Sequence, residues 1–251
     1  MDATIIGVIG LGNAGAPILK NLHKSKKYNL IAFDIDKSKL DDTPQEVIKA
    51  NSIMDLAAKC SVVLTCLPKP EHVLQVVDGE DGLLQNASSG MIWIDTSTTD
   101  FKQTQKLAEK AKTFDVSMLE ATLTGGVHAL QNNNMVCLAG GDKEIFDKWK
   151  EVLQDAIGEV VVLCGDIGAG AIAKVVSNML AFTNMVAASE CMMIAKRAGL
   201  DLENFFDAIR VSAGNSFAWE TVVPHIFNQK YEAGFTMDLA CKDMNLSYLL
   251  G

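Results

Sequence analysis

The chain has 251 residues, 49% of them hydrophobic, and its 31 acidic against 22 basic side chains leave a formal net charge of −9. That is enough chain for one large or two smaller domains around a real hydrophobic core, and the composition excludes a disordered protein. The acidic balance excludes nucleic acid as a partner on charge grounds; with Arg197 and Arg210 the only arginines, any earlier anion site has to use lysine or backbone N–H groups.

Through the first two thirds of the chain, short apolar, β-branched runs alternate with polar segments of helical period. The runs at 4–10, 30–34, 61–67, 91–95, 116–121, 135–140 and 160–165 predict buried strands, and 16–27, 45–59 and 101–113 predict helices. Strands alternating with helices predict an α/β fold with a Rossmann-type, doubly wound, largely parallel sheet. The pattern changes at Gly165. GDIGAG (165–170) reads as a loop, 169–197 as one long apolar helix stopped by Gly199, and 202–210, 218–227 and 237–250 as further helices. The predicted organisation is a dinucleotide-binding domain at 1–165 and an all-helical substrate and dimerisation domain at 166–251, entered through the long helix.

Lys174, Asn178, Asn184 and Glu190 make that helix a poor bilayer span, and no membrane partner is expected. The N-terminus carries an acid and no basic leader. Six cysteines, without C-x-x-C spacing and mostly in apolar runs, read as buried free thiols. They suit a reducing compartment: the cytoplasm, or the mitochondrial matrix if a transit peptide has been removed. The four histidines are scattered and predict no metal site.

The first candidate site is G-x-G-x-x-G at Gly10, Gly12 and Gly15, after an apolar strand and before a helix. In that context one glycine makes the tight turn, one lets the backbone approach a pyrophosphate, and one lets helix and strand pack closely. Leu11, Asn13 and Ala14 complete the turn, and the helix behind it offers N–H groups to phosphate. The next strand ends at Asp34, about twenty residues on, where a carboxylate accepts the ribose hydroxyls of NAD and repels a 2′-phosphate. No arginine follows, although Lys37 and Lys39 are near. NAD is therefore the expected cofactor, with NADP disfavoured.

Four segments, in order, resemble the β-hydroxyacid dehydrogenase family: GLGNAGAPILKNL (10–22), EATLTGG (120–126), GDIGAGAIAKVVSN (165–178) and KDMNL (242–246). The second is similar to the family's D-x-P-V-S-G-G substrate loop, the third to its G-x-x-G-x-G-x-x-x-K-x-x-x-N catalytic segment. The resemblance implies that Lys174 is the catalytic lysine and that Asn178 holds the substrate. It implies that Thr124, Gly125 and Gly126 bind the substrate's carboxylate. Lys242 would lie near the nicotinamide with Asp243 in support, and Leu67, Pro68 and Thr98 would line the cofactor cleft. The implied activity is hydride transfer between NAD and a short 3-hydroxy acid, the carbonyl form being a semialdehyde. A small-aldehyde reductase and a non-catalytic dinucleotide-binding module are the alternatives.

Chemistry read from the residues agrees with these roles. Lys174 and Asn178, four apart, share a helix face. Oxidising an alcohol needs a base on the hydroxyl, and the reverse needs an acid on the carbonyl oxygen, which a lysine can serve. Asn178 can donate and accept without titrating. Paired glycines after Thr124 suit a loop that offers N–H groups to a carboxylate.

The sequence departs from the family at Glu120 (usually Asp), Thr122 (usually Pro), Thr124 (usually Ser) and Asn133 (a glycine), where Asn tolerates left-handed φ. It ends at Gly251, where the family continues for several helices, so the expectation is either a truncated sequence or a helical domain without its terminal helices. His128 reads as a surface histidine. Trp219 and Phe217 could border the substrate or pack helices, and Asn215 and Ser216 could face the cleft. The apolar long helix predicts a homodimer or homotetramer.

Overall fold

The computed structural model describes residues 4–125, 127–228 and 235–250. The chain divides into two compact units, 1–174 and 175–251.

The first unit is built on an eight-stranded sheet. Its strands are β1 (Ile5–Ile9), β2 (Asn29–Phe33), β3 (Ile48–Lys49), β4 (Val62–Thr65), β5 (Ile92–Asp95), β6 (Ser117–Thr124), β7 (Val136–Gly140) and β8 (Val161–Leu163). The order across the sheet is β3-β2-β1-β4-β5-β6-β7-β8, and every pair is parallel except β6–β7. Between the strands run α1 (Gly15–Ser25), α2 (Ile53–Ala57), α3 (Pro70–Asp78), α4 (Phe101–Lys112), α5 (Val127–Gln131) and α6 (Lys143–Ala156).

Alternation along the strands feeds two cores. Ile6 and Val8, Val62 and Leu64, Ile92 and Ile94, and Leu119 and Ala121 meet α1 and α6 side chains such as Ile18, Leu22, Phe146 and Leu153. Ile9, Val63, Trp93 and Met118 turn the other way, against Leu56, Val73, Val77 and Leu107 of α2, α3 and α4. Both faces of a parallel sheet are thereby covered, which is why its strands read as continuous apolar runs.

Two expectations are corrected. The segment 45–59 is not one helix: it gives β3, which pairs with β2, before the short α2. β6 runs on to Thr124 and turns back antiparallel into β7. Asn133 does take left-handed φ, 51°.

α7 (Ala169–Arg197) begins in the first unit and continues into the second, which also holds α8 (Leu202–Arg210), α9 (Phe217–Phe227) and α10 (Met237–Tyr248). The second unit's core is small: Ala188, Met192, Trp219 and Val223, with Phe205, Phe206 and Phe227 around them. Trp219 stacks on Phe206 with centroids 5.9 Å apart and donates to the Phe206 carbonyl at 3.2 Å. It is a packing residue, whereas Phe217 is exposed. Ser216 caps α9 by accepting from Trp219 N–H, and Asn215 donates to Glu220, so both polar groups have local tasks.

By length and composition alone α7 is long and apolar enough to cross a membrane, a test that the core helix of a soluble protein also passes. All six cysteines are free thiols, but Cys164, Cys191 and Cys241 are exposed, which corrects the reading of uniform burial. Cys164 follows the edge strand, and an apolar neighbourhood in sequence did not put it inside.

Candidate active site

The strand order reverses between β1 and β4, and in open α/β sheets ligands bind at the carboxyl ends of the strands at such a point. The three glycines of the turn after β1 meet three different demands. Gly10 has φ +92°, and a methyl there would overlap the Cys66 carbonyl at the end of β4. A methyl on Gly15 would overlap the Gly10 carbonyl, so α1 reaches the strand this closely only with glycine. A methyl on Gly12 would meet nothing within 4 Å. Its small size serves no packing need, so it leaves backbone accessible to a ligand.

α1 starts on Ala14, which has no side-chain acceptor for the first N–H groups, and α3 starts on Lys69, also without one. α4 and α6, by contrast, are capped by Asp100 and Asp142. The open Gly12 and the α1 terminus without a side-chain cap fit a pyrophosphate. Leu11 enters the core, 3% exposed, and only its backbone serves the turn.

Asp34 closes the turn from β2. Its Oδ2 accepts from Leu11 N–H at 2.6 Å and its Oδ1 from Asp36 N–H at 2.8 Å. Each oxygen retains a lone pair for a ribose hydroxyl. Beside it Ile35, an apolar side chain outside the glycine motif, is 90% exposed. Lys37, a nearby cation, donates to the Asn51 carbonyl at 3.2 Å and lies over the Phe33 ring.

A buried network supports the loops that carry Leu67, Pro68 and Thr98. Trp93 Nε1–H donates to Thr65 Oγ1 at 2.8 Å, and Thr65 donates to Asp95 Oδ1 at 2.9 Å. Asp95 Oδ1 also accepts from Ser97 N–H at 3.0 Å, and Ser97 Oγ accepts from Leu67 N–H at 2.9 Å. Asp95 thus sets the loop after β5, and Ser97 ties it to the loop after β4. Burial pushes the Asp95 carboxyl from the usual 3.8 up to about 6, against the pull of the Ser97 and Thr65 hydrogen bonds.

A carboxyl raised in this way holds a proton in the folded chain that the unfolded chain has released. Stability therefore falls as pH rises through that window, and it stays lower above it. Asp95→Asn is expected to gain on the parent by on the order of 3 kcal/mol between about pH 4 and pH 7. Urea unfolding of both proteins at the two pH values measures this, and parallel pH dependences would rule it out.

Thr124 ends β6, half-buried, and Gly125 follows with φ +122°. Gly126 lies outside the described residues, as does the His128 side chain. Lys174, 9% exposed, is the last residue of the first unit. In the second unit Asn178 (8% exposed) donates through Nδ2 to Oδ2 of the buried Asp243 on α10 at 2.7 Å. Lys242 Nζ lies 3.1 Å from Asp243 Oδ1. Asp243 therefore fixes the orientation of the Asn178 amide. Among the described residues no group of three or more His, Cys, Asp or Glu side chains could hold a metal.

The sequence reading left Asp95 and Ser97 without roles and noted Glu120 only as a departure. Glu120 is 2% exposed and engages the start of α7. The available signal was a carboxylate at the end of an otherwise apolar strand pattern, twice.

Known proteins match along nearly the whole chain. Residues 5–165 match the family model described as the NAD binding domain of 6-phosphogluconate dehydrogenase. Residues 168–250 match the one described as NAD-binding of NADP-dependent 3-hydroxyisobutyrate dehydrogenase. The human mitochondrial 3-hydroxyisobutyrate dehydrogenase is 32% identical over 97% of this chain and 74% of its own length. The 2-(hydroxymethyl)glutarate dehydrogenase of Eubacterium barkeri is 29% identical over 98% and 82%. Among solved structures, Mycobacterium tuberculosis 3-hydroxyisobutyrate dehydrogenase with L-serine superposes with a TM-score of 0.90 at 27% identity, covering 99% of this chain and 87% of the other. The chain belongs to the β-hydroxyacid dehydrogenase family, oxidoreductases built on a nicotinamide-dinucleotide-binding domain.

Proposed function

We propose that this protein interconverts a short 3-hydroxy acid and its semialdehyde, with NAD as the preferred cofactor. The observation that carries this reading is a buried lysine, Lys174, on α7, in a chain whose turn after β1 is an open glycine cradle. Three relatives support the substrate class. The compounds they are named for or bind, 3-hydroxyisobutyrate, 2-(hydroxymethyl)glutarate and L-serine, share a hydroxymethyl group on the carboxylate-bearing carbon and differ only in what else that carbon carries. The constant part is HOCH2–CHX–COO⁻.

When bound, the dinucleotide accepts the hydride in oxidation and supplies it in reduction. Lys174 Nζ takes the hydroxyl proton in oxidation and returns it to the carbonyl oxygen in reduction. Asn178, oriented by Asp243, holds substrate oxygens. Thr124 with Gly125 and Gly126 binds the carboxylate through backbone N–H groups, and Lys242 serves the nicotinamide end. Gly10 to Gly15, Leu67, Pro68 and Thr98 hold the dinucleotide, with Ile35 offering an apolar surface to its adenine end.

Asp34 supports the NAD preference by repelling a 2′-phosphate, and Lys37 is occupied elsewhere. A panel of HOCH2–CHX–COO⁻ acids tests the reading, with turnover followed through reduced cofactor. We expect kcat/KM with NAD to exceed that with NADP by about tenfold or more. NADP equal or better would refute the preference, and NADH binding without turnover on any member would favour a non-catalytic module.

The outward apolar side chains of α7, Leu180, Val186 and Ile194 among them, support a homodimer or homotetramer. Sedimentation of a monomer at micromolar concentration would remove that reading. A reducing compartment, cytoplasm or mitochondrial matrix, suits the six free thiols.

A further inference from the structure

One face of β6 is not what a buried strand calls for. Leu119, Ala121 and Leu123 enter the core beside α1 and α6. The opposite face begins apolar with Met118 and then reads Glu120, Thr122, Thr124. Glu120 and Thr122 are each 2% exposed, and a buried carboxylate needs partners.

Its partners are the amides that open α7. Glu120 Oε2 accepts from Gly168 N–H at 2.6 Å and Gly170 N–H at 3.3 Å, and Oε1 accepts from Ala171 N–H at 2.9 Å. These are first-turn groups that a helix leaves without internal partners, at the end where a negative charge is favoured. Thr122 Oγ1 lies 2.9 Å from the Leu138 carbonyl and 3.2 Å from that of Gly170, so its hydroxyl can donate to either. The helix start is pressed on the sheet. A methyl on Gly140 would overlap Glu120 Oε2, and one on Gly170 would sit 3.0 Å from the Leu138 carbonyl and 3.1 Å from Glu120 Cβ.

We propose that Glu120, assisted by Thr122, is a positioning residue for the reaction: by clamping the first turn of α7 to β6 it sets the height and rotation at which Lys174 meets the substrate. The inference rests on the reading of Lys174 as acid and base. Lys174 follows Ala171 by three residues, about 4.5 Å along the axis and close to one turn. A helix anchored through amides on successive residues can neither slide nor spin at that distance. The same β6 face ends at Thr124, so one rigid strand register sets both the carboxylate anchor and the lysine's helix. Sites held by regular elements keep their geometry better than sites on loops.

Glu120→Gln tests this. Its amide keeps one acceptor but turns a donor toward the amides of α7. In hydrogen exchange, protection at Gly168, Gly170 and Ala171 should fall. In steady-state kinetics kcat should fall about 10- to 100-fold, with NADH affinity and substrate KM within about twofold, because a misplacement near 1 Å costs rate and not binding. Retained protection, or lost protection with parental kcat, would overturn the inference. A purely structural role would lower the melting temperature and leave the kcat of the folded protein unchanged.

Should Glu120→Gln not fold, Thr122→Val drops only the hydroxyl and is read in the same two ways. Its expected kcat loss is about three- to tenfold, and a parental kcat would count against the clamp. The two failures separate. An active Lys174→Ala protein sinks the acid–base reading and this inference with it. An inactive Lys174→Ala beside a fully active Glu120→Gln sinks this inference alone.

Discussion

Lys174→Ala is expected to lower kcat by about 100-fold or more while NADH affinity stays within about twofold, since a positioned acid–base group contributes 10²–10⁴-fold to rate and little to cofactor binding. The expectation rests on what the neighbouring groups can do. Both Glu120 oxygens accept from the amides of α7, and Asp95 Oδ1 is held by Thr65 and Ser97 inside the sheet. Each is 3% exposed or less. Neither carboxylate is placed to exchange protons with a substrate. Asn178 has no proton to exchange at working pH. Lys174 is buried, and a buried ionisable side chain in a ligand-binding domain is a candidate for a functional role. Cofactor fluorescence and steady-state kinetics on the same preparation decide the matter. A kcat within about tenfold of the parent would remove Lys174 from the acid–base role. Weakened NADH binding of matching size would point instead to a damaged cofactor domain.

Local signals carried far in this chain, and they failed where the determining partner was distant. Buried parallel strands advertise themselves as β-branched runs, so β1, β4 and β5 were legible. The limits of α7 were legible because its apolar period starts after a glycine loop and stops at Gly199. β3 was not: it is a two-residue edge strand inside a segment of helical period, made a strand only by pairing with β2. The antiparallel return of β7 was hidden too, because eleven residues with α5 among them separate β6 from β7, where a tight hairpin would need only two.

The same division runs through the site. Gly10, Gly12, Gly15 and Asp34 stand at spacings that a nucleotide dictates. Glu120 acts on amides some fifty residues further along the chain, and no pattern within β6 points to them. Asp95 meets Thr65 at the end of β4 and Ser97 in the loop after β5, and Ser97 in turn holds Leu67 in the loop after β4, a grouping that only the sheet brings together. What the spacing shows is the group that meets a ligand; what it conceals is the group that holds the first one in place.

The cofactor turn offers a test in which two neighbouring substitutions of the same kind should fail differently. Gly15→Ala puts a methyl into the Gly10 carbonyl oxygen, which belongs to the backbone of the turn itself and cannot swing away. Strand and helix must separate, and the expected cost is about 3 kcal/mol or more of stability, with cofactor affinity lost as a consequence. Gly12→Ala puts its methyl where nothing lies within 4 Å. Stability should stay within about 0.5 kcal/mol of the parent, as for a substitution that touches nothing. NADH affinity should nevertheless fall about 10- to 100-fold, because the methyl keeps the pyrophosphate from one or two charge-assisted hydrogen bonds worth ~1.5 kcal/mol each. Urea unfolding and NADH fluorescence titration on both variants separate the two roles. A Gly12→Ala protein that binds NADH like the parent would mean that the open side of the turn is not where the phosphates lie. The cradle would then be a feature of sheet packing alone, as it already is at Gly15.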